Sequence, residues 1–295
     1  MSNAKIFNNF KIHTQYSICE GAVKIDNLKD YCKENKIQNV GICDSYNLCG
    51  ALEFSEKVSK SGTQPIIGTQ INFFSNNNIG KLPLFSISSQ GYKNLIKLSS
   101  KSYLESDAQS DPHCKISELQ NINKDLILLS GNQYGLFGKL FKSNKLKQID
   151  ESVKELKSIF NDRFYLEIQR HNEPGEESFE NFIIELSLKN QIPLIATQEV
   201  FYITKDMYEA HDALVCIGEK NFVSETNRVK YSDQHFLKNN EDLTELFKDV
   251  PEALENNYNF PLRFNFKPKK SDPVLPTIET RENVTVEQEL LSQTK

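Results

Sequence analysis

The most constraining feature of this chain is an alternation. Short apolar runs exchange with longer segments of helical periodicity from the N-terminus to about residue 220. The short runs are Phe10–His13, Asn39–Cys43, Pro65–Phe73, Leu82–Ile87, Asp125–Leu129, Phe164–Ile168 and Pro193–Ala196. They are apolar at consecutive rather than alternate positions, the pattern of strands buried on both faces, as in parallel sheets. Between them, Ile25–Asn35, Leu48–Ser59, Tyr92–Leu104, Glu151–Ile159 and Ser178–Lys189 read as helices; in the first, Ile25, Leu28 and Cys32 share a face. Pro65 and Pro193 stand at strand starts, where a missing N–H is tolerated, and loops such as "SNNNIGK" are Asn- and Gly-rich. The alternation predicts an α/β fold with a parallel sheet. Seven strand–helix units fit a closed or nearly closed barrel better than an open sheet. Neither G-x-G-x-x-G nor a Walker loop is present, so open nucleotide-binding sheets lose their main support. From Met207 the pattern turns helical, and a Pro- and Lys-rich connector after Tyr258 precedes a further helical start, "VTVEQELLSQTK".

At 295 residues the chain can bury a substantial core. No apolar run reaches the ~20 residues needed to span a bilayer, and the polar N-terminus lacks a signal pattern. The expectation is a cytoplasmic protein with no membrane partner. A net charge of −5 argues against a surface that grips phosphate backbone as a whole. The groups Lys139, Lys142, Lys145, Lys147 and Arg263, Lys267, Lys269, Lys270 read as solvated faces or linker. None of the six cysteines falls in C-x-x-C or in zinc spacing with histidine.

In α/β barrels the reactive groups collect on loops after the C-terminal strand ends. Here those loops carry His13 and Glu20, Asp44 and Ser45, Gln70, Ser130-Gly131-Asn132, Gln169-Arg170-His171 and Thr197-Gln198-Glu199. A histidine ending a strand, with an acid beyond it, looks like half of a metal site. A cluster of divalent ions needs about four or more ligands for each ion, and this rim is poor in them. No Ser/His/Asp or Cys/His spacing suggests a nucleophile elbow. Surface or packing roles are the ordinary reading of His171 and His211, and His113 and His235 suggest no role.

Several stretches then carry a family resemblance. "IHTQYSICEGAVKI", "GICDSYNLCGALEF", "QPIIGTQINF" and "KLPLFSISSQGYKNLIKLSSKSYLE" come in order, followed by "DLILLSGNQYG", "FYLEIQRHNEP", "PLIATQEVFYI", "YEAHDALVCIGE", "QHFLKNNEDLTELFKDVPEALENN" and "SDPVLPTIETRENVTVEQELL". In this order and spacing they resemble the PHP (polymerase and histidinol phosphatase) domain at the N-terminus of bacterial DNA polymerase III alpha subunits. The resemblance implies a distorted seven-stranded (β/α)7 barrel over residues 1–220, a helical extension over 221–270, and a linker with the start of the polymerase palm over 271–295. Metal-binding members end the first strand in His-x-His; here those positions are Lys11 and His13, with the following acid kept as Glu20. Asp-His becomes Asp44-Ser45, a Glu becomes Gln70, a His becomes Lys81, and a Cys becomes Asn132. The closing Asp-x-His becomes Glu199 and Phe201. Of the nine ligand positions (Lys11, His13, Glu20, Ser45, Gln70, Lys81, Asn132, Glu199 and Phe201) only His13, Glu20 and Glu199 could still ligate; Asp44 and His171 neighbour the pocket, and His171 matches a further family position. If Lys11 and Lys81 point inward, they can pair with Glu20 and Glu199.

Two functions follow from the resemblance. One is a metal-free, non-catalytic module that braces the polymerase alpha chain and docks the proofreading exonuclease subunit. On that reading no cofactor is bound here, magnesium belongs to the palm of the full-length protein, and DNA is met only in that context. The other is a working metal-dependent phosphoesterase or 3′–5′ exonuclease.

Overall fold

The computed structural model describes residues 5–75, 77–106, 110–274, 280–281 and 283–294. Nine strands are found among them: β1 (Lys11–Ile12), β2 (Asn39–Ser45), β3 (Gln64–Ser75), β4 (Asn78–Ser86), β5 (Cys114–Lys115), β6 (Leu126–Leu129), β7 (Phe164–Ile168), β8 (Leu194–Ala196) and β9 (Glu199–Val200). Short β5 pairs with β3, and the others run in the order β8-β7-β6-β4-β3-β2-β1-β9. β8 pairs with β7 and β9 with β1, yet only Thr197 and Gln198 separate β8 from β9. One bent segment therefore serves both ends of the sheet, which curls into a half-barrel of the α/β class that the alternation predicts, with more strands among the described residues than the seven expected.

The expected all-parallel sheet is corrected at β4. This strand runs antiparallel to both β3 and β6. β3 and β4 form a hairpin, whereas a parallel return needs a crossover of a dozen or more residues. Asn77 in the turn takes φ +62°, a left-handed conformation that asparagine tolerates. The first strand is also shorter than Phe10–His13, so His13 lies just beyond it.

The helices are α1 (Ile25–Glu34), α2 (Ala51–Ser59), α3 (Ser89–Leu104), α4 (Leu136–Lys142), α5 (Leu146–Phe160), α6 (Glu176–Asn190), α7 (Tyr208–Glu219), α8 (Asn240–Leu246), α9 (Pro251–Asn259) and α10 (Val286–Gln293). Helix α4 was not anticipated, and α5 begins before Glu151. The pleat of each strand sorts its side chains between helices and barrel interior. On β7, Phe164, Leu166 and Ile168 join the cluster under the helices, while Tyr165 packs inside with Phe10, Cys43, Phe85 and Ile127. Phe260 closes the interior at one end, stacked on Phe10 at 4.2 Å. Each such buried side chain contributes roughly 1.5–3 kcal/mol. Asn257 of α9 ties the extension to the barrel: its side-chain amide donates to the carbonyls of Asn8 (3.1 Å) and Ala196 (2.9 Å), and its Oδ1 accepts from Asn8 N–H. Within the expected extension, residues 221–239 contain no helix. The linker expected over 271–295 falls partly outside the described residues. Among the described residues no helix is long and apolar enough to cross a membrane.

Candidate functional site

The interior-facing alternation along β1 and β7 places two charged side chains where apolar ones would be expected. Lys11 and Glu167 are each fully buried, and the Lys11 ammonium lies 2.9 Å from Glu167 Oε1. It is also 3.7 Å from Glu199 Oε1. Burial opposes the charge on Lys11, but the carboxylates of Glu167 and Glu199 outweigh it and hold the ammonium above the ordinary lysine range. Lys11, expected to pair with the acids Glu20 and Glu199 if it points inward, therefore has Glu167 as its nearer partner. Glu167 was missed in the sequence. An acid inside "FYLEI", and a lysine inside "NFKIH", were the available signals, since a charge within a buried strand must be paired.

Glu199 is the hub of the mouth. Its Oε1 accepts from Gln70 Nε2 at 3.1 Å and lies 2.9 Å from His13 Nε2, and its Oε2 accepts from Asn132 Nδ2. Burial works against its ionisation, yet Lys11 and His13 hold the carboxyl well below the usual range. Beside it lies a second, more open pair. Lys81 donates to Glu20 Oε1 at 2.5 Å and to Ser45 Oγ at 3.0 Å, while Ser45 Oγ donates to Glu20 Oε2. Burial again opposes both charges; Lys81 lowers Glu20, and Glu20 raises Lys81. Nine of the positions singled out from the sequence thus meet here: Lys11, His13, Glu20, Ser45, Gln70, Lys81, Asn132, Glu199 and Phe201.

Local backbone puts them there. The turn after His13 folds so tightly that a Cβ at Gly21 would lie 2.3 Å from the Thr14 carbonyl oxygen. Only glycine fits, and Glu20 is thereby swung over the mouth. Gly131, at φ +79°, makes the turn that presents Asn132. Asp44 belongs to this scaffold: it accepts from Thr14 N–H (2.6 Å), Thr14 Oγ1 (2.8 Å) and Ser17 Oγ (2.8 Å). Its carboxyl is nevertheless pushed up, because burial exceeds the gain from those bonds.

Phe201 fills space where the family pattern has a ligand. Its ring packs on His13 (4.9 Å), His211 (5.3 Å), Tyr231 (4.9 Å) and His235 (4.9 Å). His171 stacks on His235 at 4.0 Å with the rings nearly parallel. Its Nε2 accepts from the Glu199 backbone N–H at 3.2 Å, which assigns the ring proton to Nδ1. Burial, then the neighbouring His235, push its pKa well down, so the ring is neutral. His211 donates to the Glu20 carbonyl at 2.8 Å. His235, which the sequence did not single out, has Nδ1 3.0 Å from the Glu199 carbonyl and Nε2 3.2 Å from Glu173 Oε1. It arrives on the helix-free segment 221–239, and a lone histidine in a polar loop carries no signal of where it will dock. Above the network opens a cleft of about 530 Å³, walled by Tyr46, Tyr134 and Tyr231 and edged by Lys139, Lys142 and Lys230.

The donor set does not fit a cluster of divalent ions. Among the described residues no three His, Cys, Asp or Glu side chains converge as a metal-ligand group. Glu20 and Glu199 are each engaged by a lysine, and the amides of Gln70 and Asn132 are already turned, nitrogen first, towards Glu199.

The PHP domain family matches residues 9–171. The chain is 33% identical over 300 residues to the DNA polymerase III subunit alpha of Caulobacter vibrioides, a match covering 98% of this chain and 26% of that one. It is 32% identical over 277 residues to the protein of the same name from Rickettsia bellii (94% and 24% covered). A third, from Buchnera aphidicola, is 32% identical over 297 residues (99% and 25%). The chain spans about a quarter of the length of these relatives.

Proposed function

This chain belongs to the PHP family, and on that premise we propose that it acts as a metal-free, non-catalytic PHP module of a replicative polymerase alpha chain in the bacterial cytoplasm. The observation that carries this reading is the Lys11 ammonium, seated 2.9 Å from Glu167 and 3.7 Å from Glu199 inside the barrel. It supplies internally the positive charge that buried carboxylates require. A divalent ion beside it would meet like charge at a cost on the order of several kcal/mol at an effective dielectric near 20. Two further substitutions support the reading: Lys81 neutralises Glu20, and Phe201 contributes bulk and no donor. The role left to such a barrel is mechanical. It braces the polymerase and offers a surface to the proofreading exonuclease subunit, while magnesium and DNA are handled by the palm of the full-length protein.

The test is elemental analysis of protein purified without chelator, paired with p-nitrophenyl phosphate and single-stranded DNA assays in added Mn²⁺ or Zn²⁺. The expected result is substoichiometric metal and no turnover. Two or more tightly held ions per chain, or turnover abolished by His13→Ala, would establish the rival reading, a phosphoesterase or 3′–5′ exonuclease. Docking is tested separately, by calorimetric titration of the exonuclease subunit into this chain and into the full alpha chain. If only the full chain gives heat, the docking surface lies elsewhere.

A further inference from the structure

Behind the turn that presents Asn132 lies a small cavity of about 20 Å³. Its walls include Gln133, Glu167, Gln169, His171 and Glu176. Three buried polar atoms at these walls have no hydrogen-bond partner in the protein: Gln133 Nε2, Gln133 Oε1 and Glu167 Oε2. Gln133 is 3% exposed and Glu167 1%. Lys11 Nζ nearby also makes no hydrogen bond in the protein, although it is ion-paired with Glu167 Oε1 at 2.9 Å. Glu167 Oε1 accepts from Gln169 Nε2 at 2.7 Å and from Thr197 Oγ1, while its other oxygen takes nothing from the protein. Unpartnered buried groups of this kind are rare, and where the space is polar and exceeds roughly 10–15 Å³ a water can satisfy them.

We infer that this cavity is a binding site for one ordered water held between Gln133 and Glu167. The atoms specify a ligand that accepts one hydrogen bond, from Gln133 Nε2, and donates two, to Gln133 Oε1 and Glu167 Oε2. Water does both. A monovalent cation would suit the two oxygens but leave the amide N–H unpaired, and it would stand near the Lys11 ammonium. The bound water ties the β6 turn to β7, and so fixes the residue next to Asn132, whose amide holds Glu199. It thereby extends the hydrogen-bond network around Glu199 to a water that exchanges slowly with bulk. The inference holds whether or not the barrel carries metal.

The experiment is a crystal structure of this chain at high resolution, with and without a rubidium soak, and oxygen-17 relaxation dispersion on the wild type and Gln133→Met. The expected result is one peak within hydrogen-bond reach of Gln133 and Glu167, no rubidium anomalous signal there, and a slowly exchanging water lost in Gln133→Met, which melts several degrees lower. An empty cavity, an anomalous peak at the site, or a slow-water signal unchanged by Gln133→Met would each overturn it. The wild-type crystal structure decides the matter even if the variant does not fold.

Discussion

Replacing Lys11 by methionine keeps most of the unbranched side chain, one heavy atom shorter, and removes the ammonium and its charge. Glu167 and Glu199, both nearly inaccessible, then face each other with no lysine between them. At an effective dielectric near 20, an ion pair at 3–4 Å is worth about 4–6 kcal/mol in gross attraction. Burying the ammonium costs several kcal/mol in the wild type, which offsets part of that attraction. The net loss expected is about 3–5 kcal/mol at pH 7, the range for stranding a buried charge. At roughly 2 °C per kcal/mol for a chain of this size, the midpoint falls on the order of 5–10 °C. The pH dependence adds a second reading. Glu199 is held well below its usual range in the fold, so its contribution is present above the unfolded carboxyl value and disappears as pH falls through the folded one. The penalty of Lys11→Met must therefore be largest at neutral pH and shrink on acidification. Urea unfolding followed by circular dichroism at pH 4.5, 6 and 7.5 measures both features. The double variant Lys11→Met/Glu167→Met should recover much of the loss, because a buried pair replaced by apolar volume is often neutral. A single variant within 1 kcal/mol of wild type, a penalty that grows towards acid, or a double variant no better than the single would refute the argument.

Other variants probe the rest of the mouth. Burial pushes Glu176 up to about 7, so the wild type loses stability as pH rises from the ordinary carboxyl range to neutrality, by roughly 3 kcal/mol in all. Glu176→Gln should be the more stable protein at pH 8 and equal to wild type near pH 4.5; equal urea-midpoint shifts at both pH values would count against this. The Lys81–Glu20 pair is partly solvent-exposed, at 24% and 18%, so Lys81→Met should cost only about 1 kcal/mol while raising the Glu20 pKa, as carbon-13 titration of that carboxyl would reveal; an unmoved titration sinks the pairing. Gly21→Ala forces a methyl against the Thr14 carbonyl and should cost about 2–3 kcal/mol or more; a variant with wild-type melting would show that the turn relaxes freely.

Some of the site was legible one residue at a time. His13, Glu20 and Glu199 could be placed at strand ends because strand ends follow from local apolar runs; that Lys81 takes Glu20 was decided by the fold. Glu167 was visible as an anomaly, a charge within an apolar strand, but its partner is 156 positions away in sequence, at Lys11, and no local pattern encodes that pairing. His235 was not visible at all, since it reaches the mouth on a segment with neither helical nor strand periodicity.

The sequence by itself determined the alternation, hence the α/β class, because a run of consecutive apolar residues is a property of each segment alone. It also determined that Lys11, Ser45, Gln70, Lys81, Asn132 and Phe201 stand at positions where the family pattern has ligands, since residue identity does not depend on the fold. Only the tertiary structure decided the direction of β4, the closure through the bent segment at Thr197 and Gln198, and the choice of Glu167 as the nearer partner of Lys11. These depend on how the sheet curls. Curling brings residues distant in the chain to within 3–4 Å inside the barrel, where low dielectric makes an ion pair strong and an unpaired charge costly.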